Sequence, residues 1–271
     1  MRAFKKTTST TSAELNNGRG KLPKDFFVVT PAEEEALKEF EPMVEELTGR
    51  RALIPPQSRN DCLRLLRARG LNTTKALILL ESSEKERVEY SPVAYEDVKK
   101  IVQKSLAYMT GFDDAGHPVI YVDTDKFRKN EDDVIVIVKF IIFVMDEVVL
   151  EAQKRGQEQV VLVFDLTRFS LLSMDYGVIK QMLHVLMYVY PERVYRLIVF
   201  NPPYFFTAAW PAIKLWLDEN SIRKILFLRK TEKLFLEVDK QAIPTILGGT
   251  FVFDVNKYEE NGSARTQALV S

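Results

Sequence analysis

Three short runs of consecutive apolar residues stand out in the second half of the chain. They read VVLVF, LIVF and ILFL, and they begin at Val160, Leu197 and Ile225. Runs of β-branched and aromatic residues without polar alternation are typical of strands that are covered on both faces. Helix-length segments separate the runs. The pattern therefore predicts an α/β fold in which crossover helices join the strands of a mainly parallel sheet.

The same pattern extends toward the N-terminus of this region. Residues 119–122 form the first predicted strand, directly after turn residues at 114–116. Residues 134–145 are apolar except for Lys139. Because a membrane span needs about 20 apolar residues, we expect a buried helix here instead. A further helix is predicted over residues 175–189, so the predicted order is β-α-β-α-β-α-β.

The segments that flank the sheet region differ from it in composition. Residues 1–24 are rich in Ser, Thr, Asn and Gly and carry six basic residues against one acid, so we expect a disordered basic tail. Residues 25–92 predict a small helical domain, with one helix beginning at Pro31 and two others capped at residues 60–61 and at Asn72. Residues 93–256 form the predicted sheet domain, and residues 257–271 form a C-terminal tail.

Composition argues against several classes of function. The 38 basic and 38 acidic residues cancel, so the net charge does not indicate nucleic-acid binding. A single cysteine, Cys62, excludes an intrachain disulfide and fits a reducing, cytoplasmic compartment, and no apolar signal segment follows the basic N-terminus. Two histidines that lie far apart leave little material for a metal site. We therefore expect neither a metal ion nor another cofactor.

Sequence signatures of catalysis are also missing. The chain contains no G-x-S-x-G elbow, no G-x-G-x-x-G motif and no phosphate-binding loop. Acidic residues cluster near the first predicted strand, at Asp113, Asp114, Asp123 and Asp125, but acids in turns are usually solvated. We predict that the protein is not an enzyme, and an α/β enzyme of unrecognised type stays as a remote alternative.

The segment between the last two predicted strands carries more large apolar side chains than one helix needs to cover a sheet. Several of them recur at helical spacing and fall on one broad face, with Thr207 as a candidate N-cap. Part of this surface is expected to cover an apolar cavity, and ordinary core packing is the alternative. The residues that we expect at the cavity are Phe205, Phe206, Trp210, Ile213, Trp216 and Leu217.

Four motifs that follow one another along the chain carry a family resemblance. They are CLRLLRARGLNTTKAL, GFDDAGHPVIYV, the sequence YPER at residues 190–193 with LIVFNPPYFFTAAWPAIKLWLDENSIRKILFL after it, and the segment from Ile243-Pro244 to Gly248-Gly249. They span residues 60–250. On these motifs the chain resembles the CRAL-TRIO lipid-transfer family, in particular its fungal phosphatidylinositol transfer proteins. It departs from the family pattern at residues 201–203, at residues 214–215 and at Gly70.

The resemblance implies both a fold and a ligand site. The implied fold is a small N-terminal helical domain followed by a mixed, mainly parallel sheet flanked by helices, with a lipid pocket closed by a gate helix near residues 206–218. Residues 93–256 would then be the lipid-binding domain. In relatives that carry phosphatidylinositol, four polar positions contact the head group. In this chain those positions are Arg69, Glu192, Ser221 and Lys224.

Each of these four residue types suits an inositol phospholipid. Arg69 and Lys224 are cations that suit a phosphate group. The Ser221 hydroxyl can donate a hydrogen bond to a phosphate oxygen, and the Glu192 carboxylate can accept one from an inositol hydroxyl. The alternatives are a local salt bridge between Glu192 and a nearby arginine, and a Lys224 that is simply solvated.

The resemblance also narrows the ligand and the mode of action. Carriers of phosphatidylcholine place hydroxyl residues at two strand positions that are Val160 and Leu162 here, which favours phosphatidylinositol alone or a second, more apolar ligand such as a sterol. We expect a monomeric, cytoplasmic protein that contacts membranes transiently and peripherally. It is expected to bind one phospholipid, phosphatidylinositol first, and to exchange it between membranes. The alternative is a lipid sensor or interaction module that transfers nothing because side chains fill its pocket.

Overall fold

The computed structural model describes residues 26–51, 58–90, 92–254 and 256. The tails predicted at residues 1–24 and 257–271 lie outside the described residues. The helices are, in chain order, α1 (Pro31–Arg51), α2 (Arg59–Ala68), α3 (Thr73–Tyr90), α4 (Tyr95–Gln103), α5 (Val134–Lys154), α6 (Tyr176–His184), α7 (Tyr204–Lys214), α8 (Glu219–Lys224) and α9 (Thr231–Leu234). A π-helical turn, Val185–Val189, continues α6.

Five strands form one sheet and lie across it in their sequence order. They are β1 (Ala107–Phe112), β2 (Pro118–Asp123), β3 (Val160–Asp165), β4 (Val194–Phe200) and β5 (Ile225–Leu228). β1 runs antiparallel to β2, and the other neighbouring strands are parallel. Parallel neighbours need long crossover connections, which α5, α6 and the pair α7 and α8 supply. The prediction of a mainly parallel α/β sheet flanked by helices is confirmed.

The first strand of the sheet is β1, and the prediction that residues 119–122 come first is wrong, because they belong to β2. β1 reads AYMTGF, so threonine and glycine interrupt its apolar residues. Gly111 has a φ of 146°, and the pairing with β2 is irregular between Met109 and Gly111. Edge strands tolerate such bulges. This strand therefore lacks the continuous apolar run from which the central strands are predicted.

Alternate residues of each strand face two different layers. Ile120 of β2 belongs to the core between the sheet and helices α4 to α7. Tyr121, the next residue, belongs to the core on the opposite face. That second core is covered by the stretch that follows β5, which contributes Leu234, Val238 and Ile243. Both faces of the central strands are covered, which explains their continuous apolar runs.

Helix α5 is buried, as its apolar block predicts. Phe140, Ile142 and Phe143 are almost completely inaccessible to solvent. Lys139, the charged residue within the block, lies with its Nζ 3.3 Å from a carboxylate oxygen of Asp97 on α4. In the part of the chain that the structure describes, no helix combines the length and the hydrophobicity that crossing a membrane requires.

The sequence predicts the N-terminal cap of α3 correctly but not that of α2. Ser58 caps α2: its hydroxyl accepts a hydrogen bond from the Asp61 N–H, and the Asp61 carboxylate accepts one from the Ser58 N–H. The cap predicted at residues 60–61 is wrong because Asp61 is the acidic partner in this capping box. Asn72 does cap α3, since its side-chain oxygen accepts a hydrogen bond of 2.8 Å from the Lys75 N–H.

A buried ion cluster connects the N-terminal helices with the sheet. Helices α1 to α3 share an apolar core that contains Cys62, and burial raises the pKa of its thiol to about 11. Glu158, just before β3, pairs with Arg64 of α2 and with Arg193, 2.6 Å away, just before β4. Breaking such a buried pair typically costs about 3–5 kcal/mol. The cluster therefore fixes α2, and with it Arg69, relative to β4.

The layer that follows β5 depends on a close approach of two backbone segments at Gly249. A Cβ atom at this position would lie 1.8 Å from the carbonyl oxygen of Ile243, which is fully buried. We predict that Gly249→Ala lowers the free energy of unfolding by about 3 kcal/mol or more, because one of the two segments must move. Urea denaturation of the purified variant measures this change.

Gly156→Ala is the matched control for that substitution. Gly156 has a φ of 70°, but a Cβ atom there would have no neighbour within 4 Å. Only the left-handed backbone conformation opposes alanine at this position, which costs about 1–2 kcal/mol. A loss at Gly249 no larger than the loss at Gly156 would contradict the proposed backbone contact.

Candidate functional site

An apolar cavity lies between the sheet and helices α5, α6 and α7. Its volume is ≈ 190 Å³, and nearly all of its wall is aliphatic and aromatic. The strands contribute Ile120, Leu162 and Val199, and α5 contributes Phe140 and Met145. Protein interiors are normally packed with few voids larger than a water molecule. A gap of this size in the main core is therefore a candidate binding site for an apolar ligand.

Helix α7 forms one wall of the cavity, and its start differs from the prediction. The helix begins at Tyr204 with Pro203 in the N-cap position. Thr207 is not the N-cap: it lies inside the helix, is buried, and donates a hydrogen bond of 2.8 Å from its hydroxyl to the Tyr204 carbonyl. The prolines at 202 and 203 favour a helix start at Tyr204, earlier in the chain than predicted, because proline needs no N–H partner where a helix begins.

The six apolar residues predicted at the cavity divide into three groups. Those that line the cavity are Phe206, Trp210 and Ile213. Leu217 lines a second, more polar pocket instead. Phe205 and Trp216 pack beside the cavity against its surrounding core without lining it. The predicted apolar helix face thus meets the cavity along its first three turns and leaves it after residue 213.

The second pocket brings together the four polar residues predicted to contact a head group. It has a volume of ≈ 60 Å³. Its polar lining comes from the end of α2, the turn before β4, and α8, which lie far apart in the sequence. The predicted residues that line it are Arg69, Glu192, Ser221 and Lys224. The pocket adjoins the apolar cavity, since the two share Leu183, Leu186, Leu197 and Ile225 in their walls.

Glu192 and Lys224 form an ion pair in the wall of this polar pocket. The Lys224 Nζ lies 2.6 Å from a carboxylate oxygen of Glu192, and the two side chains are only 11% and 12% exposed. The alternatives of a local salt bridge for Glu192 and a solvated Lys224 are both wrong. The nearby arginines pair elsewhere: Arg193 with Glu158, and Arg196 with Glu237.

The backbone of Glu192 adopts a conformation that residues other than glycine rarely adopt. Its φ is 57°, and such left-handed conformations persist where the surrounding structure holds them. The side chain of Gln159 donates a hydrogen bond of 3.0 Å to the Glu192 carbonyl. On the following residue, the guanidinium of Arg193 is anchored on Glu158. The carboxylate is thus directed at Lys224 by its neighbours just before β3 and in the turn.

Arg69 contributes a cation that no carboxylate neutralises within the described ranges 26–51, 58–90 and 92–254. It is the C-cap of α2, and the chain turns sharply after it through Gly70 and Leu71, which both have positive φ. Its guanidinium lies 5.3 Å from the centre of the Tyr188 ring and donates one hydrogen bond to the Ala68 carbonyl. The remaining N–H donors are therefore available to an anion in the pocket.

Ser221 offers a hydroxyl at the side of the pocket. Its backbone N–H donates a hydrogen bond of 2.7 Å to the side chain of Asp218, the N-cap of α8. Among the described residues, no hydrogen bond engages the Ser221 hydroxyl itself. The cap therefore orients the first turn of α8 and leaves this donor and acceptor for a ligand.

Two features of the site have no clear signal in the sequence. The predicted helix over 175–189 is regular only to His184 and ends in the π-helical turn, which places Tyr188 under Arg69 and Met187 in the wall of the polar pocket. π-helical turns often occur at functional sites, but apolar periodicity does not distinguish them from α-helix. Asp218, the cap of α8, also lines this pocket.

The two strand positions associated with choline lipids lie on the cavity side of the sheet. Leu162 lines the apolar cavity, and Val160 is completely buried in the core on the same face of the sheet. Neither position offers a hydroxyl group. Across the stretches of chain that the structure describes, no group of three or more His, Cys, Asp or Glu side chains is arranged to hold a metal ion.

Comparison with known proteins gives matches to a family model, to curated proteins and to solved structures. A model of the CRAL/TRIO domain matches residues 102–249. The chain is 28% identical over 271 aligned residues to phosphatidylinositol transfer protein CSR1 of Eremothecium gossypii, covering 88% of this chain and 59% of that protein. A CRAL-TRIO domain-containing protein of Schizosaccharomyces pombe is 27% identical over 198 residues, covering 69% of this chain and 44% of its own length.

The structural comparison agrees on the fold. The crystal structure of Sfh5 superposes with a TM-score of 0.67 and 18% sequence identity, covering 90% of this chain and 99% of that one. At this identity the likeness supports the fold alone. The chain spans about half the length of the curated relatives that it matches. Arg69 lies outside the segment that the family model matches, whereas Glu192, Ser221 and Lys224 lie inside it.

The ion pair of Glu192 and Lys224 in the wall of the polar pocket is expected to contribute to stability. Lys224→Met leaves a largely buried carboxylate unpaired, and Glu192→Gln leaves a largely buried ammonium unpaired, which is costly in each case. We predict that each variant lowers the free energy of unfolding by about 1–3 kcal/mol, and that the double variant loses at least about 1 kcal/mol less than the sum. Urea denaturation of the four proteins measures this coupling.

The exposed pair of Lys38 and Glu35, whose side chains are 73% and 81% exposed at a separation of 3.5 Å, is the matched control. Solvent screening should hold its coupling free energy below about 0.5 kcal/mol. An equally small coupling between Glu192 and Lys224 would contradict the account of the pocket.

Proposed function

The chain belongs to the CRAL/TRIO domain family, and we propose that it is a lipid-transfer protein that carries one phosphatidylinositol molecule between membrane surfaces. The acyl chains occupy the apolar cavity, and the head group occupies the polar pocket. Exchange takes place without a covalent step and without a cofactor. The observation that carries this proposal is the junction of the two pockets, which share four wall residues. An amphipathic ligand needs this arrangement of adjoining apolar and polar space.

The apolar cavity supports the proposal on energetic grounds. Two acyl chains contain on the order of 30 methylene groups, and exposing them to water costs roughly 25 kcal/mol at about 0.8 kcal/mol each. A wall formed by residues such as Leu162, Val199 and Phe206 resembles the interior of a bilayer. The free energy of moving the chains from bilayer to protein then approaches zero, so the lipid can be taken up and released.

The polar pocket supports an inositol phospholipid in particular. Arg69 has guanidinium donors available for a phosphate, and the Ser221 hydroxyl can donate to the same group. The Glu192 carboxylate retains lone pairs beyond its contact with Lys224 and can accept hydrogen bonds from inositol hydroxyls. The relative in Eremothecium gossypii is named as a phosphatidylinositol transfer protein, which agrees with this choice.

Selectivity against choline lipids follows from the sheet side of the cavity. Leu162 in the cavity wall and Val160 in the surrounding core present only hydrocarbon at the positions where the family resemblance implies hydroxyl groups in choline-lipid carriers. A second ligand, if the protein carries one, is therefore expected to be more apolar than phosphatidylcholine, such as a sterol.

Helix α7 is the proposed gate of the cavity. Phe206, Trp210 and Ile213 would contact acyl chains when the helix is closed. Pro211 lies inside the helix, and because it has no N–H it cannot bond to the Thr207 carbonyl one turn earlier. A helix that lacks one internal hydrogen bond bends more easily at that point. Such bending suits a cavity wall that must open.

The competing function is a lipid sensor or interaction module whose pocket is filled by side chains. The cavity of ≈ 190 Å³ argues against complete filling. We propose instead that the protein works as a cytoplasmic monomer that meets membranes transiently and peripherally.

Arg69→Gln is the substitution that tests the head-group site most cleanly, because no described carboxylate would lose its partner. One charge-assisted hydrogen bond to phosphate contributes about 1.5–3 kcal/mol. We therefore predict that the variant transfers phosphatidylinositol at least about tenfold more slowly than the parent protein. Transfer of a fluorescent phosphatidylinositol from donor to acceptor vesicles measures this rate.

Arg155→Gln is the matched control. Arg155 also stacks on an aromatic ring, with its guanidinium carbon 3.5 Å from the centre of Phe112, but it lines neither pocket. Its variant should transfer at the parental rate. Equal rates for both variants would reject the assignment of Arg69 to the head-group site.

A further inference from the structure

Arg69 reaches the polar pocket from the C-terminal end of α2 without a carboxylate partner among the described residues. The buried cluster of Arg64, Glu158 and Arg193 fixes the backbone of α2, but a long arginine side chain has many rotamers of its own. Ordering these rotamers only when a phosphate arrives would lower the affinity for that phosphate. A pocket that is ready for an anion therefore needs a restraint on the guanidinium that does not neutralise its charge.

The ring of Tyr188 offers such a restraint. The guanidinium carbon of Arg69 lies 5.3 Å from the centre of this ring. Guanidinium groups stack on aromatic faces, and the contact uses none of their N–H donors. Arg67, by comparison, lies over the ring of Phe26 but also pairs with the Glu33 carboxylate. Stacking without a carboxylate thus restrains Arg69 and leaves its charge available for an anion.

The ring of Tyr188 is itself held by its neighbours. The imidazole of His184 stacks on it, with the ring centres 4.6 Å apart and an angle of 24° between the planes. The Nε2 atom of His184 lies 2.8 Å from a carboxylate oxygen of Glu86 on α3. Tyr188 also packs against the apolar core that helices α1 to α3 share. These contacts oppose rotation of the ring away from Arg69.

The π-helical turn that carries Tyr188 is anchored on its C-terminal side as well. Tyr190, directly after the turn, is buried and donates a hydrogen bond of 2.6 Å from its hydroxyl to the Asp146 carboxylate on α5. Arg87 of α3 donates a hydrogen bond of 3.0 Å to the same carboxylate oxygen. Because His184 and Tyr190 flank the turn, their contacts fix the backbone of Tyr188 relative to α3 and α5.

The face of the Tyr188 ring, and not its hydroxyl, makes the contact with Arg69. In the part of the chain that the structure describes, no hydrogen bond engages this hydroxyl, and Tyr188 lines neither the apolar cavity nor the polar pocket. A phenylalanine ring at this position would offer the same face. A leucine would occupy much of the same space but has no π system for a cation. The two substitutions therefore separate stacking from packing.

We propose that Tyr188 is the positioning residue for Arg69, whose guanidinium its ring holds toward the phosphate of the bound lipid. The inference rests on the proposed function, in which Arg69 contacts that phosphate. Tyr188 does not touch the lipid and acts through Arg69 alone. The ligand group that this arrangement favours is a phosphate, because a guanidinium with available donors can bind two of its oxygens through parallel hydrogen bonds.

The test measures transfer of a fluorescent phosphatidylinositol between vesicles by variants of the full chain. Tyr188→Leu should slow transfer about fivefold, which is the effect of losing one cation–π contact. Tyr188→Phe should transfer at the parental rate. In the Arg69→Gln background, Tyr188→Leu should slow transfer by less than about twofold, since the guanidinium that the ring positions is already absent. A general defect in folding would instead slow transfer equally in both backgrounds.

The matched control is Phe112→Leu. The ring of Phe112 lies 3.5 Å from the guanidinium carbon of Arg155, and neither residue lines a pocket. This variant should transfer at the parental rate. The proposal would be overturned by a Tyr188→Leu variant that transfers like the parent protein or by a Tyr188→Phe variant that is as slow as Tyr188→Leu. An equal loss on Tyr188→Leu with and without Arg69 would also overturn it.

A measurement without lipid separates failure of this inference from failure of the proposed function. Nuclear magnetic resonance of protein labelled with ¹⁵N-arginine gives the side-chain N–H signal of Arg69, which Arg69→Gln assigns by removing it. The ring current of Tyr188 should shift this signal, and the shift should be lost in Tyr188→Leu and retained in Tyr188→Phe. An unchanged signal in Tyr188→Leu would overturn the inference, even if the parent protein transfers lipid. If the signals behave as expected but the parent protein transfers no phosphatidylinositol, the proposed function fails and the ring contact stands.

Discussion

The structure depends on keeping apolar space open inside a protein core. Close packing normally removes such gaps, because each buried side chain gains contacts when its neighbours fill the space around it. A cavity of ≈ 190 Å³ in the main core is therefore stable only if rigid elements surround it. The sheet supplies one side, with strands such as β3 held from both neighbours. Helix α5 supplies another, through its buried residues from Ile137 to Ala152.

Buried ion pairs, in contrast, lie where a helix and a strand must keep a fixed relative position. The cluster of Arg64, Glu158 and Arg193 joins α2 to the strand side of the polar pocket. The pair of Glu192 and Lys224 joins the turn before β4 to α8. Because these ions are largely buried, each requires its partner. The polar pocket is consequently rigid on two sides, while α7, which lacks such ion pairs in the described structure, borders the adjoining cavity.

Local patterns predicted the architecture well where burial is uniform. Continuous apolar runs mark β3, β4, β5 and the block of α5, because these elements are packed against apolar neighbours. The sequence alone therefore indicates them. β1 was not predicted, because an irregular edge strand with Gly111 has no such run. A hydroxyl residue such as Thr207 is a common N-cap, but the helix begins earlier, at Tyr204, because the pair of prolines before it suits the start of a helix.

The site was only partly accessible from sequence. Family motifs indicated Arg69, Glu192, Ser221 and Lys224, and the structure brings all of them to one pocket. Their partners could not be inferred, because the arginines next to Glu192 are nearer in sequence than Lys224 is. The choice of Lys224 follows from the left-handed backbone at Glu192 and from Arg193 turning to Glu158. The stacking of Arg69 on Tyr188 depends on a π-helical turn that no periodicity reveals.

Native mass spectrometry of freshly purified protein, expressed in lipid-rich eukaryotic cells, tests the central claim most directly. The account predicts a chain that carries one phospholipid, with an inositol phosphate fragment released on activation. A bare chain, obtained repeatedly from such cells without detergent, would show that the cavity does not hold a lipid and would contradict the account.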